Sequence, residues 1–341
     1  MKILVTGGTG YIGSHTCVEL VEQGYDVCLV DNLCNSSIRV LDRLRLILGF
    51  VPEFHQLDVR DAAFAEFMST CGAGAVIHFA ALKSVAGSMV DPLAYFDNNI
   101  TGTLSLLRAM RQAKIDRLVF SSSATVYGGG NPCPITESAP LVAVNPYGQT
   151  KLVMERMIGD LSAAMPSFGA ALLRYFNPVG AHESGLIGED PHGVPNNLMP
   201  FISQVAVGRR ERLHVYGDDY PTRDGTGVRD YIHVVDLAKA HVQAVRSLNS
   251  YPKGFTVNLG TGRGYSVLEV VAAFEQASGR TVPVSIQGRR PGDVAECYAD
   301  TTLAEKILGW KARLGLQRMC GDAWRWQSMY PNGYRDEGHV G

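Results

Sequence analysis

At 341 residues the chain has room for two domains, or for one large domain with a second lobe, and its 46% apolar and 19% charged content is that of a globular protein. A formal net charge of −2 argues against a general nucleic-acid or membrane-surface binder, and the local basic clusters Arg209-Arg210-Glu211-Arg212 and Arg289-Arg290 read first as solvated surface charge. No apolar run approaches the roughly 20 residues of a membrane span, no secretory signal is evident, and seven scattered cysteines without a C-x-x-C pair suit reduced thiols. A cytoplasmic protein with no membrane or nucleic-acid partner is therefore expected.

The first half alternates short apolar runs with longer amphipathic ones, the pattern of a parallel sheet with crossover helices. The predicted strands are 2–6, 26–31, 53–58, 75–80, 117–122 and 170–175; the predicted helices are 14–23, 37–48, 62–69, 99–113 and 147–164. This order predicts an α/β fold, a doubly wound parallel-sheet Rossmann domain with its ligand beyond the carboxyl ends of the strands. After about Tyr175 the texture changes. Residues 177–230 are rich in Gly, Pro, Asn and Asp, with one helical piece at 197–207, as suits a lobe that covers a substrate. Regular pattern returns at 231–247 and 255–259, followed by a helix at 266–277 and a basic loop at 287–293. The expected division is interleaved: 1–176 plus about 231–258 as a dinucleotide-binding domain, and about 177–230 plus 259–341 as a smaller α/β substrate lobe. The last ten or so residues read as a loose tail.

Chemistry enters at the first strand. Gly7-Gly8-Thr9-Gly10-Tyr11-Ile12-Gly13 lies between a strand and a helix, where glycines permit a tight turn and close approach to a pyrophosphate at a helix N-terminus. Asp31 ends the second strand about 18 residues later, where a carboxylate takes ribose hydroxyls and repels a 2′-phosphate, favouring NAD over NADP. Asp58 falls where the adenine is expected. Ser123 follows the fifth strand, at the ligand-bearing end of the sheet, within reach of a sugar hydroxyl or a phenol. Tyr147 and Lys151 are one helical turn apart, so phenol and ammonium share a face. A neighbouring cation lowers a phenol's pKa from about 10 and makes it a plausible base.

These residues together, Gly7-x-x-Gly10-x-x-Gly13, Ser123 and Tyr147-x-x-x-Lys151, resemble the extended short-chain dehydrogenase/reductase family. The segments 78–83, 97–99, 173–180, 196–200, 224–233 and 289–293 narrow the resemblance to the UDP-glucose 4-epimerases over essentially the whole length. The resemblance implies bound NAD, a UDP-sugar substrate and a homodimer through helices 99–113 and 147–164; no metal is expected, on the ligand spacing considered below. It assigns Tyr147 as base and acid, Lys151 as its electrostatic partner and Ser123 as hydrogen-bonding assistant. It carries NAD contacts to Gly7, Gly10, Tyr11, Ile12, Gly13, Asp31, Asn32, Asn35, Ser36, Asp58, Val59, Phe79, Ala80, Lys83, Asn98 and Phe176, besides Ser123, Tyr147 and Lys151. Substrate contacts fall on Asn177, Asn197, Leu198, Tyr216, Arg229, Arg290, Asp293 and Cys297, with Ser123 and Tyr147.

Departures from the family pattern refine this reading. Nucleotide-sugar 4,6-dehydratases of similar fold carry Asp-Glu after the Ser/Thr, whereas this chain has Ala124-Thr125 and so lacks the acid and base for elimination. A non-catalytic NAD-sensing regulator is opposed by the intact Ser123, Tyr147 and Lys151. His182-Glu183 with Glu189, Asp190 and His192 lacks tight metal-ligand spacing and reads as a polar loop. Cys297 stands where some family members have a bulky Tyr that crowds the sugar's C2 substituent. The smaller side chain predicts acceptance of UDP-GlcNAc and UDP-GalNAc as well as UDP-glucose and UDP-galactose.

Overall fold

The computed structural model describes residues 1–290 and 292–335. Seven strands form the central sheet: β1 (Lys2–Thr6), β2 (Asp26–Asp31), β3 (Glu53–Gln56), β4 (Ala73–His78), β5 (Arg117–Ser123), β6 (Gly169–Tyr175) and, from far along the chain, β10 (Gly254–Leu259). All pair in parallel, in the order β10-β6-β5-β4-β1-β2-β3. Alternate residues of each strand point to opposite faces, and both faces are covered. Ile3, Val5, Leu29, Ile77, Val119, Leu173 and Val257 pack under helices α1 (Tyr11–Glu22) and α9 (Val234–Ser247). Leu4, Val30, Val76, Leu118 and Phe120 pack under α3 (Ala62–Thr70), α6 (Gly102–Ala113) and α7 (Pro146–Ala164). Burial on both sides explains why these strands read as continuous apolar runs. The strand order reverses between β1 and β4, and that crevice is where a doubly wound sheet receives its ligand.

The remaining strands build two small sheets. β7 (Asn177–Val179), β11 (Gly264–Ser266) and β13 (Glu296–Cys297) surround β9 (Val228–His233), and β8 (Leu213–Tyr216) pairs in parallel with β12 (Val284–Gln287). Helices α8 (Leu198–Ala206), α10 (Val267–Ser278) and α12 (Leu316–Met329) close a second core around Met199, Ile202, Val215, Val270, Phe274 and Met319. The predicted regular stretch 231–247 therefore divides: its strand half joins the β9 sheet and its helical half packs on α1. Helix α11 (Thr302–Leu308) lies against α9 and β10.

Several boundaries differ from expectation for local reasons. Strand β4 starts and ends two residues earlier than predicted, and β3 stops at Gln56, leaving Asp58 in a turn where it accepts from the Arg60 backbone and guanidinium. Helix α1 starts at Tyr11, since Gly10 is extended and already acts as its N-cap, and α2 (Val40–Leu48) follows a hydrogen-bonded turn over 37–39. The predicted helix 99–113 is the end of a broken path. Two short helices, α4 (Val85–Val90) and α5 (Pro92–Tyr95), are separated by Asp91, which caps the second, and a π-helical turn over Phe96–Thr101 leads into α6. Of the expected loose tail, residues 333–335 form a 3₁₀ turn with Tyr334 buried against Trp326, and 336–341 lie outside the described residues.

Candidate active site

A cavity of about 1240 Å³ opens along the carboxyl ends of β1, β2, β4, β5 and β6 and continues between the central sheet and the second core. Every residue to which the sequence resemblance assigns a contact lines it, from Gly7 and Asp31 at one end to Tyr216, Arg290 and Cys297 at the other.

The glycine end is built by close packing. Gly7 has φ +71°, and a Cβ there would sit 2.8 Å from the Ala80 amide nitrogen beyond β4. A Cβ on Gly13 would lie 2.2 Å from the Gly7 carbonyl oxygen, so the loop and the first turn of α1 tolerate no side chain at that contact. The N-terminus of α1 has neither a side-chain cap nor an acidic residue in its first turn, which leaves amide donors and the positive end of the helix dipole facing the cavity. Asp31 is buried to 8% exposure and accepts from the Thr9 and Leu33 amides and the Ser36 hydroxyl. Asn32 donates to Asp58, whose carboxyl is held well below its usual range, chiefly by hydrogen bonds from Arg60. An uncapped helix start, a cradle without room for a Cβ and a fixed carboxylate fit the pyrophosphate and ribose of NAD; this is the fit the donor set supports.

The middle of the cavity carries the reacting groups. Asn145 caps α7 by accepting from the Gly148 amide, which fixes where Tyr147 emerges. Tyr147 and Lys151 are both buried on the sheet-facing side of the helix, with the ammonium 6.0 Å from the phenol ring centroid. The Lys151 Nζ donates to the Ser121 carbonyl oxygen at 2.6 Å. The Ser123 Oγ accepts from the Thr125 amide and hydroxyl, so its own proton is free for another acceptor.

Here one expectation is corrected. The phenol pKa is not drawn below 10; burial pushes it up to about 12, and a hydrogen bond with Ser123 only partly offsets this. Burial also lowers Lys151 to about 7, partly opposed by Glu155. The i, i+4 spacing put the two groups on one face, but burial dominates the titration of each.

At the far end Arg229 is held by the Val228 and Val294 carbonyls, and β13 places Cys297 beside it in parallel register. Burial raises the Cys297 thiol to about 11, so it presents as a small neutral wall. Arg290 is not plain surface charge: its guanidinium lies 4.5 Å over the Tyr216 ring and pairs with Asp293 at 3.1 Å. Arg289 pairs with Asp219 instead. The His182–His192 segment brings no metal-ligand cluster together. Among the described residues, the one group with ligating atoms close to one another is Cys28, Glu53 and His55 at the edge of the sheet, where Glu53 already pairs with Lys2. His78 is a satisfied core imidazole, bonded to Thr6 and Thr103.

Sequence reading missed Glu189, Tyr95 and Glu155. Glu189 accepts from both Lys83 (2.9 Å) and Asn197 (3.1 Å), joining two residues assigned to different ligands. No local pattern marks it. Glu155, by contrast, continues the Tyr147–Lys151 spacing by one more turn, a signal that was available.

A family model described as GDP-mannose 4,6 dehydratase matches residues 4–323. The carboxylates of elimination are nevertheless replaced by Ala124 and Thr125, which line the cavity. Among curated proteins, UDP-glucose 4-epimerase of Bacillus subtilis is 55% identical over 336 residues, covering 98% of this chain and 99% of its own. Among solved structures, UDP-glucose-4-epimerase from Stenotrophomonas maltophila with bound NAD and formylated UDP-arabinopyranose superposes with a TM-score of 0.94 at 55% identity, over 96% of this chain and 98% of that one. The Bifidobacterium longum UDP-glucose 4-epimerase in complex with NAD⁺ and UDP gives 0.94 at 51% identity, over 98% and 100%. With this likeness along nearly the whole of each chain, the protein belongs to the family that the model describes and, within it, to the UDP-glucose 4-epimerases.

Proposed function

We propose that the protein is an NAD-dependent isomerase that reversibly inverts C4 of UDP-hexoses through a 4-keto intermediate. The observation that carries this reading is the placement of Tyr147, Lys151 and Ser123 between a glycine cradle fit for NAD and an arginine-bearing wall fit for a nucleoside diphosphate, within one cavity. Bound NAD supplies a hydride acceptor at C4 that later returns the hydride. The chain's own residues manage the proton and the geometry. Tyr147, as phenolate, takes the O4 proton in one half-reaction and, as phenol, gives it back in the other. Ser123, whose proton is uncommitted, donates to the phenolate or to the sugar oxygen. Lys151 supplies positive charge beside both. Arg229 and Arg290 suit the diphosphate because guanidinium stays charged and bonds it in a fork. They anchor the nucleotide while the hexose stays loose enough to present either face of C4.

The NAD contacts and the substrate contacts are assigned as the family resemblance placed them, with the division between a Rossmann domain (1–176 and about 231–258) and a UDP-sugar lobe (about 177–230 and 259–341). Cys297 supports acceptance of the N-acetylated pair, since it leaves the volume a tyrosine ring would fill. Seven free cysteines support a reducing, cytoplasmic setting. No helix among the described residues is long and apolar enough to cross a membrane. A homodimer is supported by the exposed apolar side chains Met89, Val90, Leu93, Phe96 and Leu104, which lie on or beside the expected helix pair.

The experiment is incubation of the purified protein with UDP-galactose, and separately with UDP-GalNAc, without added cofactor, followed by separation of the products. Epimerised product from the wild type and none from Tyr147→Phe, with NAD still bound to the variant, is the expected result. Proton transfer by a positioned group is worth about 10²–10⁴-fold. Near-normal turnover by the Phe variant would refute the role of Tyr147.

A further inference from the structure

The end of β5 is tied to α7 at two successive turns: the Ser121 carbonyl accepts from Lys151, and the Ser122 hydroxyl donates to Glu155 at 2.5 Å. Tyr147, Lys151 and Glu155 stand four residues apart on one buried stripe, and Glu155 is 5% exposed. Glu155 touches neither ligand-facing wall of the cavity, yet it is a carboxylate in the protein interior, an arrangement that is costly unless the charge has partners. Its partner is Arg174 on β6, which donates from Nε at 2.9 Å and from Nη2 at 2.6 Å. Arg174 is itself held by the Tyr127 hydroxyl and the Glu137 carbonyl.

We propose that Glu155, clamped by Arg174 and Ser122, is a positioning residue of the reaction: its buried negative charge holds the Lys151 side chain as an ammonium beside Tyr147. This rests on the epimerase reading above for its consequence, though not for its test. The other groups around the pair do not supply such a charge. His78 on β4 is buried and neutral, Phe120 on β5 offers only its ring face to the ammonium, and burial keeps Tyr175 on β6 a neutral phenol. Arg174 is positive and is paired with Glu155 itself. Glu155 is thus the anion on which the ammonium depends. Its effect on Lys151 opposes the loss of charge that burial imposes.

Glu155→Gln keeps the side-chain shape and the bond from Ser122 while removing the charge. Competitive acetylation of Lys151 across pH, read by mass spectrometry, reports its titration without any need for turnover. Lys151 in the variant is expected to lose its proton at a pH lower by about one unit. In parallel, kcat for UDP-galactose at neutral pH is expected to fall about tenfold, its controlling pKa to move down, and KM to change less than about threefold. If Glu155→Gln does not fold, Glu155→Met/Arg174→Met removes both buried charges at similar volume, and Lys151 is then expected to lose its proton at a lower pH than in Arg174→Met alone, which keeps the carboxylate. A Lys151 titration that matches the wild type overturns the proposal, whether or not stability drops. Absence of any turnover by the wild type would instead count against the epimerase reading and leave the Lys151 titration to decide the role of Glu155.

Discussion

The two ends of the cavity are made in opposite ways. At the glycine end, a contiguous stretch of 25 residues from Gly7 to Asp31 supplies the turn, the helix start and the carboxylate, braced by the backbone after β4. At the sugar-nucleotide end, Asn197, Tyr216, Arg229, Arg290 and Cys297 come from separate elements spread over a hundred residues. The first is rigid because backbone meets backbone; the second is adjustable because side chains meet side chains. Damage to the first is therefore expected to cost the fold, and damage to the second to cost binding or choice of substrate while sparing the fold.

Acid should break the contrast open most. His15, His78 and His241 lie on α1, β4 and α9 of the dinucleotide half, and burial lowers their pKa values to about 3, about 3 and about 4. All three are neutral in the fold and protonate more readily when unfolded. Their contribution is complete above about pH 6.5 and is lost as pH falls toward the folded values, at about 1.4 kcal/mol per pH unit for each imidazole. Urea titrations between pH 7 and pH 4.5 are expected to show this slope. Among the described residues the Nε2 of His241 has no partner in its site beside Phe79 and Tyr175, so His241→Phe should flatten the slope by about a third. An unchanged slope would place the acid sensitivity elsewhere.

Next in size is Gly13→Val. Its Cβ would meet the Gly7 carbonyl oxygen at 2.2 Å, and relief requires α1 to shift away from the loop. A loss of about 1–3 kcal/mol or more in stability is expected, together with loss of NAD binding. Retention of NAD at wild-type melting temperature would show that this cradle is not the rigid end. The smallest effect on the fold belongs to Cys297→Tyr. Melting temperature and turnover of UDP-galactose should stay near wild type, whereas turnover of UDP-GalNAc should fall about tenfold or more as the added ring fills the pocket. If the wild type is inactive on UDP-GalNAc, the assignment of this wall fails.

Most of the first half was legible because its signals are local. Alternation and apolar runs mark strands covered on both faces, and a glycine spacing between strand and helix marks a cradle whatever lies around it. Legibility failed where partners are distant. The path 85–101 is broken by Asp91 and Pro92 into two short helices and a π turn, which a helical period alone does not reveal. Glu189 takes its meaning from Lys83, more than a hundred residues away, and Arg290 from Tyr216.

By itself the sequence determined the doubly wound sheet, the glycine turn, the Asp31 carboxylate and the shared face of Tyr147 and Lys151, because backbone geometry and residue period act over a few positions. Only the tertiary structure decided the charge on that face. How far a phenol and an ammonium are stripped of water, and which carboxylate compensates, depends on β5 and β6 closing over α7. That closure raises Tyr147, lowers Lys151 and sets Glu155 against Arg174, and desolvation of this kind has no signature in residue spacing.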